Sequence, residues 1–151
     1  MLKGFFKLED LNAQSSPNEL PPRDVDCNLN AANVQNATIK EENGIYTVEI
    51  ILNDSENPTV GDGGVGSVVN IISLNQITDG VKDIPGISLD NIKLSYTQVK
   101  ITATIEKDSG NLTYLIADAP SILSLDAKAG FLTINDARVG IQCVSEFSVA
   151  Y

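Results

Sequence analysis

"NIKLSYTQVKITATIE", residues 91–106, alternates apolar and polar side chains along its whole length, but the apolar positions change parity midway. Strict alternation is typical of a β-strand with one buried face. A shift of one residue moves every following side chain to the other face of a sheet, so the change at Thr97–Gln98 predicts a β-bulge or a corner there. The apolar positions before and after the change are Ile92, Leu94, Tyr96, Val99, Ile101, Ala103 and Ile105.

The segments on either side add further strand and turn signals. Residues 44–52, "GIYTVEIIL", alternate in the same way, and "KDSGN", residues 107–111, predicts a tight hairpin turn that leads into a partner strand, "LTYLIA". Residues 67–77, "SVVNIISLNQI", are rich in β-branched side chains and are interpreted as another strand. The C-terminal segment from Val139 to Tyr151 alternates up to the last residue.

Residues 120–136, "PSILSLDAKAGFLTIND", predict a second hairpin with its turn at Asp126–Gly130. Within it, the pattern S-L-D-x-x-x-G-x-L-T-I resembles hairpins of bacterial immunoglobulin-like and cadherin-like repeats, and this resemblance supports a sandwich. About six to eight short strands separated by frequent turns predict an all-β fold. We therefore expect an antiparallel β-sandwich, immunoglobulin-like or jelly-roll-like, with a β-barrel as the alternative.

Two regions of different composition predict the domain organisation. Residues 1–36 are interpreted as an apolar anchor followed by an extended arm, and residues 37–151 as a single β domain. The arm contains three prolines and few large apolar residues, so it is expected to gain order by lying on its own domain or on a neighbouring molecule. The apolar side chains of the anchor are Leu2, Phe5, Phe6 and Leu8.

The net charge of −10 disfavours several classes of partner. A surface that binds nucleic acid needs clustered Lys and Arg, and an acidic chain is repelled from anionic lipids, so we expect no nucleic acid and no membrane insertion. No stretch approaches the roughly 18 apolar residues of a membrane span, and the N-terminus lacks the apolar core of a signal peptide. We expect synthesis without export, in a compartment where Cys27 and Cys143 are free, with a disulfide between them as the alternative.

The residue inventory disfavours catalysis. The chain has no His, no Trp and two Cys. This composition removes Ser-His and Cys-His nucleophiles, His-ligated metals and all-cysteine zinc sites. Acidic pairs of the kind used in glycoside hydrolysis stand in no recognisable motif. We therefore expect a protein that is not an enzyme and that has no cofactor, with calcium as the one candidate.

"VGDGGVGSVV", residues 60–69, contains the G-x-G-x-x-G spacing of dinucleotide-binding loops at Gly61, Gly63 and Gly66. A phosphate site is not expected, because the preceding strand ends too early, a strand-like segment follows, and Asp62 places negative charge in the loop. The favoured interpretation is a mobile acidic loop between two strands. The hard oxygen ligands that suggest calcium are Asp54, Glu56 and Asp62.

Together these features predict a structural protein. We expect a component of a phage or virus particle, an outer decoration, head fibre, neck or tail protein, made in the host cytoplasm and located in the virion. Its arm is expected to pack on neighbouring subunits, which predicts a homo-oligomer. The alternative is an extracellular or cell-surface β-sandwich or calycin-like module that binds a sugar, a small ligand or a protein.

Overall fold

The structure of the protein is a computed structural model that describes residues 27–151. The predicted anchor, with Leu2, Phe5, Phe6 and Leu8, lies outside the described residues, as do the three prolines of the predicted arm. The described part of the arm begins at Cys27 and leads through a short 3-10 turn, Ala31–Asn33, into the first strand.

The described chain forms one antiparallel sheet of seven strands with a single α-helix. The strand order is β1-β2-β5-β6-β4-β3, and β7 pairs with β6. The predicted all-β fold is therefore confirmed and is consistent with a sandwich, whereas the barrel alternative is wrong because the sheet does not close. The elements are β1 Val34–Glu42, β2 Ile45–Leu52, β3 Ser55–Glu56, α1 Leu74–Asp79, β4 Ile87–Tyr96, β5 Lys100–Glu106, β6 Leu112–Ala129 and β7 Leu132–Ser148.

Strand β6 organises the sheet, because β4 and β5 lie end to end along one of its edges while β7 lies along the other. Tyr96 is paired with Ser121 and Lys100 with Asp118, so three residues of the β4–β5 junction face two residues of β6. The extra residue is accommodated where Gln98 adopts a φ of 55°. This is the β-bulge that the change of parity predicts.

The bulge places the even-numbered apolar residues before it and the odd-numbered ones after it on one buried face of the sheet. Leu94 and Tyr96 before it and Val99 and Ile101 after it are all buried. They form a single core cluster with side chains from residues 57–86, the segment that lies between β3 and β4 and covers this face of the sheet. Within the described residues, every buried polar side-chain atom has a hydrogen-bond partner. The buried apolar residues are Leu52, Val65, Val69, Ile77, Leu94, Tyr96, Val99, Ile101, Ala117, Ala119 and Leu123.

The segment at residues 67–77 is not the predicted strand. It contains the end of a 3-10 turn, Val65–Ser67, followed by irregular chain and by helix α1. A capping box starts the helix: Ser73 Oγ accepts from the Gln76 N–H at 3.2 Å, and the Ser73 N–H donates to Gln76 Oε1 at 2.9 Å. This local pairing satisfies the first free amides of a helix, which outweighs the β-branched composition of the residues before it.

The turn signals are confirmed at one hairpin and misplaced at the other. Residues 107–111 connect β5 to β6, with Gly110 at a φ of 73°. The second turn is not at Asp126–Gly130, because β6 continues to Ala129 and only Gly130 and Phe131 lie between the strands. The predicted C-terminal alternation corresponds to β7, which begins earlier and ends at Ser148.

Asp126 lies where both neighbours of β6 carry a bulge. The register of β4 shifts around Asn91 and that of β7 around Asp136, and both residues have a positive φ of about 50°. The Asp126 carboxylate joins them: Oδ1 accepts from the Asp136 N–H at 2.8 Å, and Oδ2 accepts from Asn91 Nδ2 at 2.6 Å. One side chain therefore stabilises the bulges on both sides of the strand.

Protonation of this carboxylate should loosen the two bulges. The Asp136 N–H and then the Asn91 side chain lower the pKa of Asp126. Because the folded state holds the pKa below its ordinary value of about 3.9, its contribution to stability is fully present above that pH and is lost as the pH falls through the lowered value. We expect Asp126→Asn to lower the melting temperature by a few degrees at pH 7 and to flatten its decline below about pH 4.

Thermal unfolding followed by circular dichroism between pH 2 and 7 measures both effects. Asp108→Asn, in the exposed turn after β5, removes the same charge and serves as the matched control. Identical pH profiles for the two variants would contradict the role assigned to Asp126.

Candidate functional site

The glycine-rich loop is filled by its own carboxylate. Asp62 Oδ1 accepts from the N–H groups of Gly64 and Gly66 at 2.8 and 3.1 Å. Backbone amides converging on one point are the means by which such loops bind phosphate, but here an internal anion occupies that point. The loop then leads into a buried 3-10 turn, Val65–Ser67, and on to α1 rather than to a strand. The expected strand–loop–strand arrangement is therefore wrong.

Close packing fixes the middle of the loop. A Cβ atom added at Gly66 would lie 1.9 Å from the carbonyl oxygen of Thr59, which only a glycine avoids. The Gly63 N–H donates to the buried Ser67 Oγ at 2.8 Å. The loop is therefore a tightly packed part of residues 57–86, the segment that covers the core.

Two asparagines from the described part of the predicted arm hold this loop. Asn33 Nδ2 donates to the Gly63 carbonyl oxygen at 2.8 Å, and the Asn30 backbone N–H donates to the same oxygen at 3.3 Å. Asn30 also caps the 3-10 turn through its Oδ1, which accepts from the Ala32 N–H at 3.1 Å. Sequence reasoning missed both residues, and an Asn that precedes a short helical turn was the available signal.

The structure does not bring the three calcium candidates together. Asp54 Oδ1 accepts from the N–H of Gln98 at 3.2 Å, and Glu56 forms an ion pair of 3.0 Å with Lys93. Asp62 holds the glycine loop. Among residues 27–151, no group of three or more acidic or cysteine side chains is placed to hold a metal ion.

A shallow cleft of about 300 Å³ lies where β3 meets β4. Its rim carries two carboxylates, and both already have partners within the protein, Lys93 and the backbone of the bulge. The cleft is therefore rimmed by carboxylates that are already paired within the protein, and it is not an apolar pocket. Its lining residues are Asp54, Ser55, Glu56, Ser95, Tyr96 and Thr97.

Both cysteines are free, as expected. Cys27 is exposed and Cys143 is half-buried on the core side of β7. Burial raises the pKa of the Cys143 thiol, so this group stays protonated and poorly nucleophilic near neutral pH.

A row of apolar side chains crosses five strands on the same face as the core. Each residue pairs directly with the next, from β1 through β2, β5 and β6 to β7, so all five share one face of the sheet. Ile39 is 63% exposed, and the other four are half-buried. We call this feature the cross-strand row. It consists of Ile39, Val48, Ala103, Leu115 and Phe147.

The exposed apolar side chains also concentrate in β7. Of the nine large apolar side chains exposed among the described residues, four belong to this strand, and Phe131 in the turn before it is fully exposed. Strand β7 therefore carries more exposed large apolar side chains than any other element of the described chain. The four residues in β7 are Leu132, Ile134, Val139 and Val144.

No protein-family model matches the chain, and neither a curated protein nor a solved structure is detectably similar to it. None of the helices in the described part of the chain is long and apolar enough to cross a membrane. The function must therefore be inferred from the surfaces described above.

Substituting the tightest position of the glycine loop tests whether the loop is structural. Gly66→Ala places a Cβ against the Thr59 carbonyl, and we expect the free energy of unfolding to fall by about 1–3 kcal/mol, as for other overpacked cores. Urea unfolding followed by circular dichroism measures the change.

Gly140→Ala is the matched control. A Cβ at Gly140 in β7 meets no atom within 4 Å, so the variant should unfold within about 0.5 kcal/mol of the unmodified protein. Equal stability of the two variants would show that the loop does not depend on its close packing.

Proposed function

We propose that this protein is a non-enzymatic assembly protein and a component of a phage or virus particle. The observation that carries the proposal is the cross-strand row. Adjoining apolar side chains that stay partly accessible to solvent mark surfaces that contact other proteins, whereas single exposed apolar residues are ordinary. The row is continuous across five strands, from the exposed Ile39 to the half-buried Phe147, and Leu115 within it also packs against the core cluster.

The anchor at the start of the chain supplies side chains that match this surface. Leu2, Phe5, Phe6 and Leu8 are apolar, and burying each of them against an apolar row is worth about 1.5–3 kcal/mol. Residues 12–26 separate the anchor from Cys27, and these 15 residues span up to about 50 Å when extended. An arm of this length is long enough to extend to the sheet of a neighbouring subunit, and the proposed assembly is a homo-oligomer held together in this way.

The acidic surface favours particular positions in a particle. A net charge of −10 repels nucleic acid, so a shell that faces the genome is a poor location. An outer decoration, head fibre, neck or tail position has no such requirement. The partners in this proposal are protein subunits of the same assembly.

Light scattering of the full chain over a range of concentrations tests the proposal. We expect a defined oligomer, and a shift toward monomer when the anchor is made polar in a Phe5→Ser/Phe6→Ser variant. Ile39→Lys should have the same effect, because it places a charge in the cross-strand row.

Ile122→Lys is the control, because Ile122 is also exposed but lies on the opposite face of the sheet. Its mass should match that of the unmodified chain, and circular dichroism should show that all variants remain folded. A wild-type chain that is monomeric at every concentration would overturn the proposal.

A further inference from the structure

Strand β7 is the longest edge of the sheet. It has 17 residues, and within residues 27–151 it pairs with β6 alone. From Ala137 to Ser148 the pairing with β6 is regular, so this part of the strand presents an uninterrupted ladder of backbone groups on its other side. Such an edge is a template for another strand.

The other edges of the sheet are protected, whereas this one is not. Strand β3 has only two residues and leaves the outer edge of β4 open over residues 87–93, where a register shift around Asn91 and the charged Asp90 and Lys93 interrupt it. Strand β1 has a register shift and three consecutive charged residues at its end, 40–42. Short length, irregular register and charge are the usual means of blocking edge pairing. Strand β7 contains no Lys and no Pro, and between Ala137 and Ser145 its one charged residue is Arg138.

The hydrogen bonds of the hairpin show which backbone groups face the open edge. The Val149 N–H donates to the Thr113 carbonyl, which makes this a hydrogen-bonded pair, and such pairs alternate along an antiparallel ladder. In this register the odd-numbered residues of β7 bond to β6. The even-numbered residues, Gln142 among them, direct their N–H and C=O groups to the open edge.

We propose that β7 pairs antiparallel with β7 of a second copy of the chain, about a two-fold axis at Gln142. This inference rests on the proposed assembly function and names a surface that serves it. Gln142 then faces Gln142 of the partner subunit as a hydrogen-bonded pair. Since the axis is perpendicular to the sheet, the core sides of both sheets lie on the same side.

Charge selects this register. Glu146 is the one carboxylate between Ala137 and Ser148, and centring the pair on Gln142 places Arg138 opposite Glu146 of the partner subunit, twice by symmetry. A centre one residue earlier instead places Asp136 opposite Glu146 of the partner subunit, which is repulsive. Arg138 now binds Asp136 through Nε and one terminal nitrogen, both at 3.0 Å, and its guanidinium has further N–H donors for a second carboxylate.

The same register accommodates the exposed apolar groups. Val144, which is 53% exposed, faces Gly140 of the partner subunit. A Cβ at Gly140 would meet no atom within 4 Å, so the position has room for the opposing valine. Ile141 faces Cys143 of the partner subunit on the core side, where both side chains are half-buried.

Site-specific crosslinking of the full chain tests the axis directly. In a Cys27→Ser/Cys143→Ser background, Gln142→Cys places two thiols on directly opposed residues, whose Cα atoms are about 5.5 Å apart and suited to a disulfide. Gly140→Cys is the matched control, because its two copies lie about 13 Å or more apart along the strands. Mild oxidation should convert the first variant to a covalent dimer and leave the second as a monomer on a denaturing gel.

Charge reversal tests the register independently. Arg138→Glu and Glu146→Arg should each raise the dimer dissociation constant about tenfold or more, and the double variant should restore it. Sedimentation measures the constants, and circular dichroism confirms folding. Failure of the double variant to recover association would overturn the assigned register.

The outcomes separate this inference from the proposed function. A monomeric wild-type chain would overturn both the proposed function and the edge pairing. This result is expected if residues 1–26 of the same chain occupy the edge of β7. A wild-type oligomer in which Gln142→Cys crosslinks no better than Gly140→Cys overturns the edge pairing and leaves the assembly function standing on the cross-strand row.

Discussion

The β-bulge at residues 97–99 is the constraint on which the rest of the sheet depends. It lets β4 and β5 lie end to end along β6. The even-numbered apolar residues of β4 and the odd-numbered ones of β5 then face the same core. Three hydrogen bonds fix the junction. Two join backbone groups, the Thr97 N–H to the Pro120 carbonyl and the Leu52 N–H to the Val99 carbonyl. In the third, the Gln98 N–H donates to the side-chain Oδ1 of Asp54. Without the extra residue, one half of the sheet would place its apolar side chains in water.

The bulge also explains a proline inside the central strand. The N–H and C=O of one strand residue point to the same neighbour, and the Pro120 carbonyl accepts from Thr97. An N–H at position 120 would therefore point to the junction between β4 and β5. The ladder is already interrupted there, so the absence of this donor in proline breaks no ladder bond. Proline in a central strand is otherwise excluded because it removes a ladder hydrogen bond.

Structural features that depend on neighbouring residues in the chain could be predicted from the sequence. Features that depend on which strands pair, and in which register, could not. The parity change at Thr97–Gln98 and the turn at residues 107–111 are local signals, and both are confirmed. Helix α1 had a local signal as well, Ser73 followed three residues later by Gln76, but the β-branched residues before it masked the signal. Asp126 has the chemistry of a turn residue, and only the register shows that it serves two bulges instead.

The candidate surfaces were beyond the reach of sequence patterns for the same reason. Ile39 and Phe147 are distant in the chain, and strand order alone makes them ends of one apolar row. Asp62 was the sequence signal against a phosphate site in the glycine loop, whereas the strand expected after the loop is wrong, because a 3-10 turn and helix α1 follow it. The contacts by which Asp62 fills the loop span only two and four residues of chain. That Asn30 and Asn33 hold the loop depends on contacts across about 30 residues of chain.

The hairpin of β6 and β7 has a consequence for how the chain folds. Its two long strands are joined by only two residues, Gly130 and Phe131, so closing this loop costs little entropy. Their pairing can therefore form outward from the turn before the N-terminal strands pair. Strands β4 and β5 then cover the open side of β6, but no described strand covers β7. An edge able to accept another strand exists from the first folded hairpin to the native state. Long-range repulsion between chains of charge −10 slows any encounter between two such edges, and salt screens this repulsion.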